Sequence, residues 1–279
     1  MNPTRMIKSC SNMADAWQEA MELAERTARR AGEVVCTALQ VERSVMTKSC
    51  SVDLVTQTDQ QVEQLIIQSV KDKFPMHRFI GEESVAAGES CVLSDEPTWI
   101  IDPIDGTTNF VHAFPFVAVS IGFSVNKQFG GVLVGMGNWG LMSQPLFQSG
   151  GGWDIHQAMV CTEFGSSRDP EVVEKILCSL RAVLSIPTHG VRGAGTAAIN
   201  MCLVASGCVE AYYEIGIHVW DIAAGSLLVT EAGGVLMDVQ GGPVDLMSRR
   251  VLAANSPALA ERLLQEIQSF CPIRDDAAP

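Results

Sequence analysis

The sequence predicts an α/β protein in which helices and strands alternate along 279 residues. Stretches with apolar residues three or four positions apart, typical of amphipathic helices, alternate with short apolar runs bounded by glycine and proline, typical of strands. The composition, with 47% hydrophobic and 18% charged residues, is that of a globular protein. We expect one domain over residues 1–279, large enough to fold without disulfides or structural metals.

The first half contains two predicted helices and three predicted strands. An approximate capping box at Asp15 and Gln18 is expected to begin the first helix. Thr58 and Gln61 give a second cap signal, and Pro75 ends the helix that follows. The three strands are predicted at residues 78–80, 99–102 and 116–125.

The second half repeats this mixture. Helices are predicted at residues 171–184, 196–205 and 220–232, and strands at 209–214 and 235–239. Ser256 as an N-cap and Pro257 at the first helical position predict a last helix, which leaves residues 274–279 as a polar tail.

The segment from Gly130 to Gly152 differs in composition from the rest of the chain. It holds 8 of the 24 glycines, and no charged residue occurs between Lys127 and Asp154. Because glycine weakens strands through chain entropy, we expect this part to be a flexible cover or a poorly ordered loop.

The excess of acidic over basic residues limits which molecules the protein can bind. A net charge of −13 disfavours nucleic acid and anionic membranes as main partners. The first residues lack the apolar core of a signal peptide, and no window approaches a membrane span, so we expect a cytoplasmic protein.

Cysteines and histidines give no metal or disulfide pattern. The nine cysteines include no C-x-x-C pair, and those in apolar helical surroundings, such as Cys36 and Cys202, are expected to fill the core. The five histidines show no paired spacing, so we interpret each as a structural or surface residue and expect no zinc.

The sharpest chemical signal is the run WIIDPIDGTTNF at residues 99–110, which places Asp102 and Asp105 at the end of an apolar strand. Two carboxylates this close repel each other unless a cation or a proton joins them. If Thr107 opens a helical turn, free backbone amides beside the carboxylates can bind a phosphate. The alternative is that both aspartates are only turn formers next to proline and glycine.

Three further acidic sites lie in similar contexts. Glu82 follows a predicted strand, Asp221 opens an apolar helix, and Asp59 lies in the first turn of another helix. Asp221 and Asp59 would each read as a helix cap if taken alone, and capping is the favoured explanation of Asp59. Together they indicate hard oxygen ligands without histidine or cysteine, which suit Mg²⁺. Two such ions can assist an in-line displacement, so the pattern predicts phosphate-ester hydrolysis.

Three ordered motifs, GEES (81–84), DPIDGTTNF (102–110) and WDIAAG (220–225), resemble the signature set of the inositol monophosphatase family. The resemblance covers about residues 15–128 and 162–276 and fails over residues 129–161. It implies the layered αβαβα sugar-phosphatase fold, a homodimer, and hydrolysis of myo-inositol monophosphates. It also implies two or three Mg²⁺ ions per active site, with Li⁺ as an inhibitor.

The resemblance assigns roles to residues of each motif. Metal ligands would be Glu82, Asp102, the carbonyl of Ile104, Asp105 and Asp221. Asp59 and Thr107 would be catalytic, orienting and deprotonating the attacking water. The substrate would be bound by Glu82, Asp105, Gly106, Thr107, Gly195, Thr196, Ala197, Glu214 and Asp221.

Two alternatives stay open at this point. The run D-G-T-T is similar to that of phosphatases that form an aspartyl-phosphate, although Asp102 and Asp105 are three residues apart and those enzymes have a spacing of two. A non-enzymatic alternative is a regulatory or scaffold dimer that binds cations without turnover.

Overall fold

A computed structural model describes residues 3–40, 45–47, 54–136 and 154–277. The helices are α1 (Pro3–Ala38), α2 (Gln57–Lys71), α3 (Glu82–Ala86), α4 (Thr107–Val111), α5 (Pro170–Ser185), α6 (Ala197–Ala205), α7 (Val219–Glu231) and α8 (Pro257–Leu264). The strands are β1 (Val45–Thr47), β2 (Leu54–Thr56), β3 (Arg78–Gly81), β4 (Thr98–Asp105), β5 (Val117–Val125), β6 (Gln128–Met136), β7 (Met159–Thr162), β8 (Gly190–Arg192), β9 (Ala211–Ile215), β10 (Val235–Met237) and β11 (Arg250–Ala254). Every helix and strand predicted above is present, although several bounds differ.

The strands form a two-stranded, a four-stranded and a five-stranded sheet. The four-stranded sheet has the order β3-β4-β5-β6, and only its β3–β4 pair is parallel. The five-stranded sheet has the order β10-β11-β9-β7-β8, with β9-β7-β8 parallel. Strands β1 and β2 pair with each other.

The two large sheets and the helices on their faces form five layers, in the order helices, sheet, helices, sheet, helices. Ile101 of β4 packs with α1 and α2, whereas its neighbour Ile100 packs with α6, α7 and the second sheet. Tyr212 of β9 faces the same middle helices, and the next residue, Tyr213, faces α5 and α8. Because side chains of a strand alternate between faces, each sheet is covered on both sides. The layering αβαβα is therefore confirmed.

The expectation of a loop or cover from residue 130 onward is wrong for residues 130–136. They belong to β6, which pairs with β5 without a break from Val125↔Gln128 to Val117↔Met136. The hairpin turn consists of Asn126 and Lys127, whose φ angles of 52° and 58° match a two-residue turn that fixes the register. Pairing with a buried strand outweighs the entropic cost of glycine here. Residues 137–152 lie outside the part of the chain that the structure describes.

Two predicted helix starts are also wrong. Helix α1 begins at Pro3 rather than at Asp15, because residues 4–14 contain no proline or glycine that would stop it. Helix α2 is capped by Thr56, not Thr58: the Thr56 side chain accepts from the backbone of Thr58, and Asp59 accepts from the Thr56 amide. This is a capping box.

Of the two cysteines expected in the core, Cys36 is exposed and Cys202 is only partly buried. His77 has the structural role predicted for it, since it stacks on Phe74 and accepts a hydrogen bond from Trp99. Burial lowers the pKa of His77 accordingly. Among the helices of the described ranges, none has the length and hydropathy to cross a bilayer.

We predict that Lys127→Gly stabilises the β5–β6 hairpin. Lys127 has a left-handed φ of 58°, which costs an L residue with a side chain more than it costs glycine. The free energy of unfolding in urea should rise by up to about 1 kcal/mol. Lys127→Val removes the same charge but adds a β-branched side chain, so it should lower stability. Equal effects of the two variants would contradict the assigned turn.

Candidate active site

Asp102 and Asp105 lie at the buried end of β4, with 1% and 6% of their surfaces exposed. Residues three apart in a regular strand point to opposite faces. Here the β4–β5 register shifts between these residues, since Asp102 pairs with Ser120 but Asp105 pairs with Ala118. This bulge adds one residue to β4 and turns both carboxylates toward one point.

Asp221 completes this group from the first turn of α7. One carboxylate oxygen each of Asp102, Asp105 and Asp221 lies within 4.8 Å of the others. The backbone N–H of His218 donates to Asp221 Oδ2 over 2.6 Å, which fixes that side chain. Three carboxylates at this separation are within the span that one bound cation bridges. We call Asp102, Asp105 and Asp221 the acidic cluster.

Burial and mutual repulsion dominate the electrostatics of the acidic cluster. Burial, followed by the charges of Glu82, Asp105 and Asp221, raises the pKa of Asp102 well above its ordinary value. Burial and Asp221 likewise raise the pKa of Asp105. Carboxylates held this way gain from a divalent cation, and an all-oxygen donor set suits a hard one. The residues therefore fit a metal of the Mg²⁺ type.

Glu82 opens α3 directly after β3, and the parallel pairing of β3 with β4 brings it to the same sheet edge as Asp102. Its charge raises the pKa of each member of the acidic cluster and of Asp59. Glu82 is thus close enough to act on the cluster, although it lies outside the tight group of three.

Asp59 is both a helix cap and a neighbour of the acidic cluster. It is fully buried, and it accepts hydrogen bonds from Thr56 through both the backbone N–H, at 2.9 Å, and the hydroxyl. Thr107 Oγ1 lies 3.1 Å from Asp59 Oδ1 and 3.1 Å from the carbonyl of Ile104. Burial raises the pKa of Asp59, partly offset by the Thr56 hydroxyl. The capping interpretation of Asp59 is therefore correct. Its Oδ2 makes the capping contacts, whereas its Oδ1 faces Thr107.

The turn after β4 requires glycine at position 106. Gly106 has a φ of 94°, and a Cβ there would lie 3.0 Å from the Phe116 carbonyl and 3.2 Å from that of Gly195. Only glycine allows both approaches. Helix α4 begins at Thr107, as predicted, so the amides of Gly106 and Thr107 precede the hydrogen-bonded part of that helix.

The residues assigned to substrate binding surround Asp105. Its Oδ2 accepts hydrogen bonds from the Thr196 hydroxyl at 2.5 Å and from the Ala198 amide at 2.6 Å, which attaches the loop of Gly195, Thr196 and Ala197. Glu214 on β9 is 8% exposed and accepts from the Tyr212 hydroxyl. Burial, and then the charge of Glu163, raises the pKa of Glu214 well above its ordinary value.

Sequence reasoning missed Glu63, which holds the first turn of α3, where Glu82 lies. It is 3% exposed and accepts from the amides of Glu83 at 2.7 Å and Ser84 at 2.9 Å, and from the Ser84 hydroxyl at 2.6 Å. A Cβ on Gly81 would lie 2.5 Å from the Glu63 carboxyl carbon. The signal was the spacing of Asp59 and Glu63, one turn apart on one face of α2.

Two further positioning residues were missed. Asn109 Nδ2 donates to the carbonyls of Phe116 at 2.8 Å and Ala194 at 2.7 Å, joining the α4 turn to the substrate loop. Glu163 accepts from the Gly195 amide at 2.8 Å and from Asn200 at 2.7 Å. Nothing in the local sequence marks these contacts.

Comparison with known proteins gives consistent matches. The model of the inositol monophosphatase family matches residues 16–270. Human inositol monophosphatase 1 is 57% identical over 275 residues, which cover 95% of this chain and 99% of that protein. A solved inositol monophosphatase from Anabaena has a TM-score of 0.72 and 28% identity, covering 90% of this chain and 96% of that one. The extragenic suppressor protein suhB from Bartonella henselae has a TM-score of 0.74 and 25% identity, covering 89% and 98%.

The five-layer fold and a carboxylate cluster suited to a cation define the class of protein, which is a metal-dependent phosphatase. The family model spans residues 16–270, a range that contains all three motifs. The chain belongs to the inositol monophosphatase family.

We predict that Asp102→Asn raises the melting temperature of the metal-free protein at neutral pH. A carboxyl whose pKa is raised by folding costs stability when it is ionised, and asparagine keeps the acceptor for the Ile104 amide without the charge. A gain of about 1 kcal/mol corresponds to about 2–4 °C for a chain of this size.

The gain from Asp102→Asn should shrink as the pH falls and protonates the cluster, and Mg²⁺ should stabilise this variant less than the native chain. Asp95→Asn is the control, because Asp95 is exposed. A lower melting temperature for Asp102→Asn without metal would contradict the electrostatic argument.

We predict that Glu63→Gln weakens Mg²⁺ binding by loosening the first turn of α3, which carries Glu82. The amide group presents one acceptor oxygen, so one backbone N–H loses its partner. The free energy of unfolding should fall by about 1–3 kcal/mol. Urea unfolding and Mg²⁺ titration measure the two effects, with the exposed Glu89→Gln as the control. Unchanged Mg²⁺ binding would show that Glu63 does not position Glu82.

Proposed function

We propose that the protein is a Mg²⁺-dependent, lithium-sensitive phosphomonoesterase that hydrolyses myo-inositol monophosphates to inositol and phosphate. The observation that supports this most is the acidic cluster, with its oxygens within 4.8 Å, beside the Asp59–Thr107 pair. The matches to proteins named inositol monophosphatase support the substrate.

The proposed metal ligands are oxygens of residues already placed at the site. They are Glu82, Asp102, the carbonyl of Ile104, Asp105 and Asp221. Two or three Mg²⁺ ions bound there would supply Lewis-acid activation of water and charge neutralisation on the phosphate. Lithium sensitivity rests on the family resemblance.

Asp59 and Thr107 are the proposed catalytic pair. The Thr107 hydroxyl has one proton and lies 3.1 Å from two acceptors, Asp59 Oδ1 and the Ile104 carbonyl. When it donates to Asp59, its lone pairs can accept a proton from the attacking water while its own proton passes to Asp59. A carboxyl with a raised pKa is a better proton acceptor than an ordinary aspartate. Asp59 therefore serves as the base, and Thr107 orients the attacking water.

Phosphate and inositol would contact different parts of the site. The amides of Gly106 and Thr107, at the start of α4, are the proposed donors to phosphate oxygens. Asp105, Gly195, Thr196, Ala197 and Glu214 offer the polar groups for the inositol hydroxyls, and Glu82 and Asp221 complete the proposed substrate contacts. A sugar that leaves these buried groups unpaired would lose affinity, so selectivity should depend on them.

We further propose a homodimer located in the cytoplasm, with neither nucleic acid nor membrane as a partner. The net charge of −13 supports the exclusion of polyanions, and the family resemblance supports the dimer. Light scattering on the purified chain measures the assembly, and a monomer at all concentrations would refute it.

The direct test is phosphate release from myo-inositol 1-phosphate as a function of Mg²⁺ concentration, with and without millimolar lithium. We expect Mg²⁺-dependent release that lithium suppresses. Glu82→Ala and Asp102→Asn should each lower turnover by several orders of magnitude in folded protein. Cation binding without release would favour the scaffold alternative, and a trapped phosphoenzyme would favour the aspartyl-phosphate alternative.

We predict that Glu214→Gln changes substrate preference. The ratio of kcat/KM for myo-inositol 1-phosphate to that for a simple ester such as p-nitrophenyl phosphate should fall by about 10-fold or more. The metal and water groups are untouched, so turnover of the simple ester should stay close to that of the native chain. Parallel losses on both substrates would place Glu214 in the chemical step instead.

A further inference from the structure

Residues 274–277, within the predicted polar tail, make specific contacts with the rest of the chain. Asp275 lies against the N-terminus of α7, with only 3% of its side chain exposed. Its Oδ2 accepts from the Val219 amide at 2.8 Å, and its Oδ1 lies 2.6 Å from His218 Nδ1. The Asp275 amide in turn donates to the Met247 carbonyl at 3.1 Å.

Arg249 contacts both Asp275, with Nε 3.8 Å from Oδ1, and the residues just before α7. Its guanidinium donates to the carbonyls of Gly216 at 2.7 Å and Ile217 at 3.0 Å, and its Nη2 lies 3.1 Å from His218 Nε2. Arginine can only donate, so His218 Nε2 accepts and Nδ1 carries the proton that is donated to Asp275. Both ring nitrogens of His218 are therefore engaged, in one defined tautomer.

His218 connects these contacts to the acidic cluster. Its backbone N–H donates to Asp221 Oδ2 over 2.6 Å, while its ring stacks on Trp220 with centroids 4.5 Å apart. A rotation of the His218 backbone would displace the N–H from which Asp221 Oδ2 accepts. Asp275, more than fifty residues later in the chain, thus contacts the residue that holds Asp221.

We propose that Asp275 is a positioning residue for metal binding, which fixes His218 and the first turn of α7 so that Asp221 faces the acidic cluster before a cation arrives. This inference rests on the proposed function, in which Asp221 is a metal ligand. A carboxylate that orients a group behind a ligand lowers the reorganisation needed on binding, and the loss of such partners costs metal affinity.

A purely structural role for residues 274–276 predicts that loss of either aspartate, Asp275 or Asp276, has a similar effect on Mg²⁺ binding. Asp276, the next residue, pairs with Arg274, which also contacts Asp245, and these three side chains lie at the surface. Loss of Asp276 would loosen the same segment without removing a contact to His218 or Val219. Asp276→Asn is therefore the matched control for Asp275→Asn.

The test uses the full chain and compares the native protein with these two variants. We measure Mg²⁺ binding by calorimetry, the Mg²⁺ concentration for half-maximal phosphate release, and the melting temperature without metal. For Asp275→Asn we expect binding and half-saturation to weaken by about 10–100-fold, with kcat at saturating Mg²⁺ largely retained. Asp276→Asn should match the native chain.

Equal Mg²⁺ affinities in the three proteins would overturn the proposal, as would a lower melting temperature for Asp275→Asn with no change in Mg²⁺ affinity. If Asp275→Asn does not fold, Asp275→Glu, which keeps the charge but displaces it by one methylene, is compared in the same way. A native chain that neither binds Mg²⁺ nor needs it for release would refute the proposed function itself, which separates the two failures.

Discussion

The geometry of the site depends on the close approach of three carboxylates, those of Asp102, Asp105 and Asp221, of which the first two are buried. One oxygen of each lies within 4.8 Å of the others, and burial, followed by the charges of neighbouring carboxylates, raises the pKa of Asp102 and Asp105. Burial and the charge of Glu82 raise the pKa of Asp221. Such a cluster destabilises the folded chain until a cation joins it, so surrounding contacts must hold the carboxylates together beforehand. Two features do this: the bulge in β4, and the hydrogen bond from the His218 amide to Asp221.

The five layers bring these parts to one place. Helices α6 and α7 lie between the two large sheets, so the end of β4 meets the first turn of α7 and the loop before α6. Helix α2 supports two parts of the site from one face. That face carries Asp59, which is hydrogen-bonded to Thr107, and Glu63, which accepts from the amide of Glu83 next to Glu82. The proposed metal ligands and the proposed base are therefore held by the same packed elements, which favours a fixed geometry for the reaction.

Much of the site was predictable from the sequence, because strand ends, helix caps and short motifs are local patterns. Asp102, Asp105 and the turn at Thr107 belong to one such run, and their placement followed from it. Glu63, Asn109, Glu163 and Asp275 escaped because each acts on residues far along the chain; Asp275, for example, meets Val219 across 56 positions. The strands β1, β2, β7, β8 and β11 were missed as well, and all five have at most five residues, too few to show a clear period. Composition misled at β6, where pairing with β5 outweighed the glycine content.

Cation binding by the acidic cluster is tested most directly by a crystal structure of the protein soaked in Mn²⁺, read by anomalous diffraction. Mn²⁺ takes the same oxygen ligands as Mg²⁺ and reveals its position independently of the coordinates of the chain. We expect an ion within coordination distance of carboxylate oxygens of Asp102, Asp105 and Asp221. The absence of an anomalous peak between these carboxylates, or an ion bound only elsewhere, would contradict a metal site at the acidic cluster.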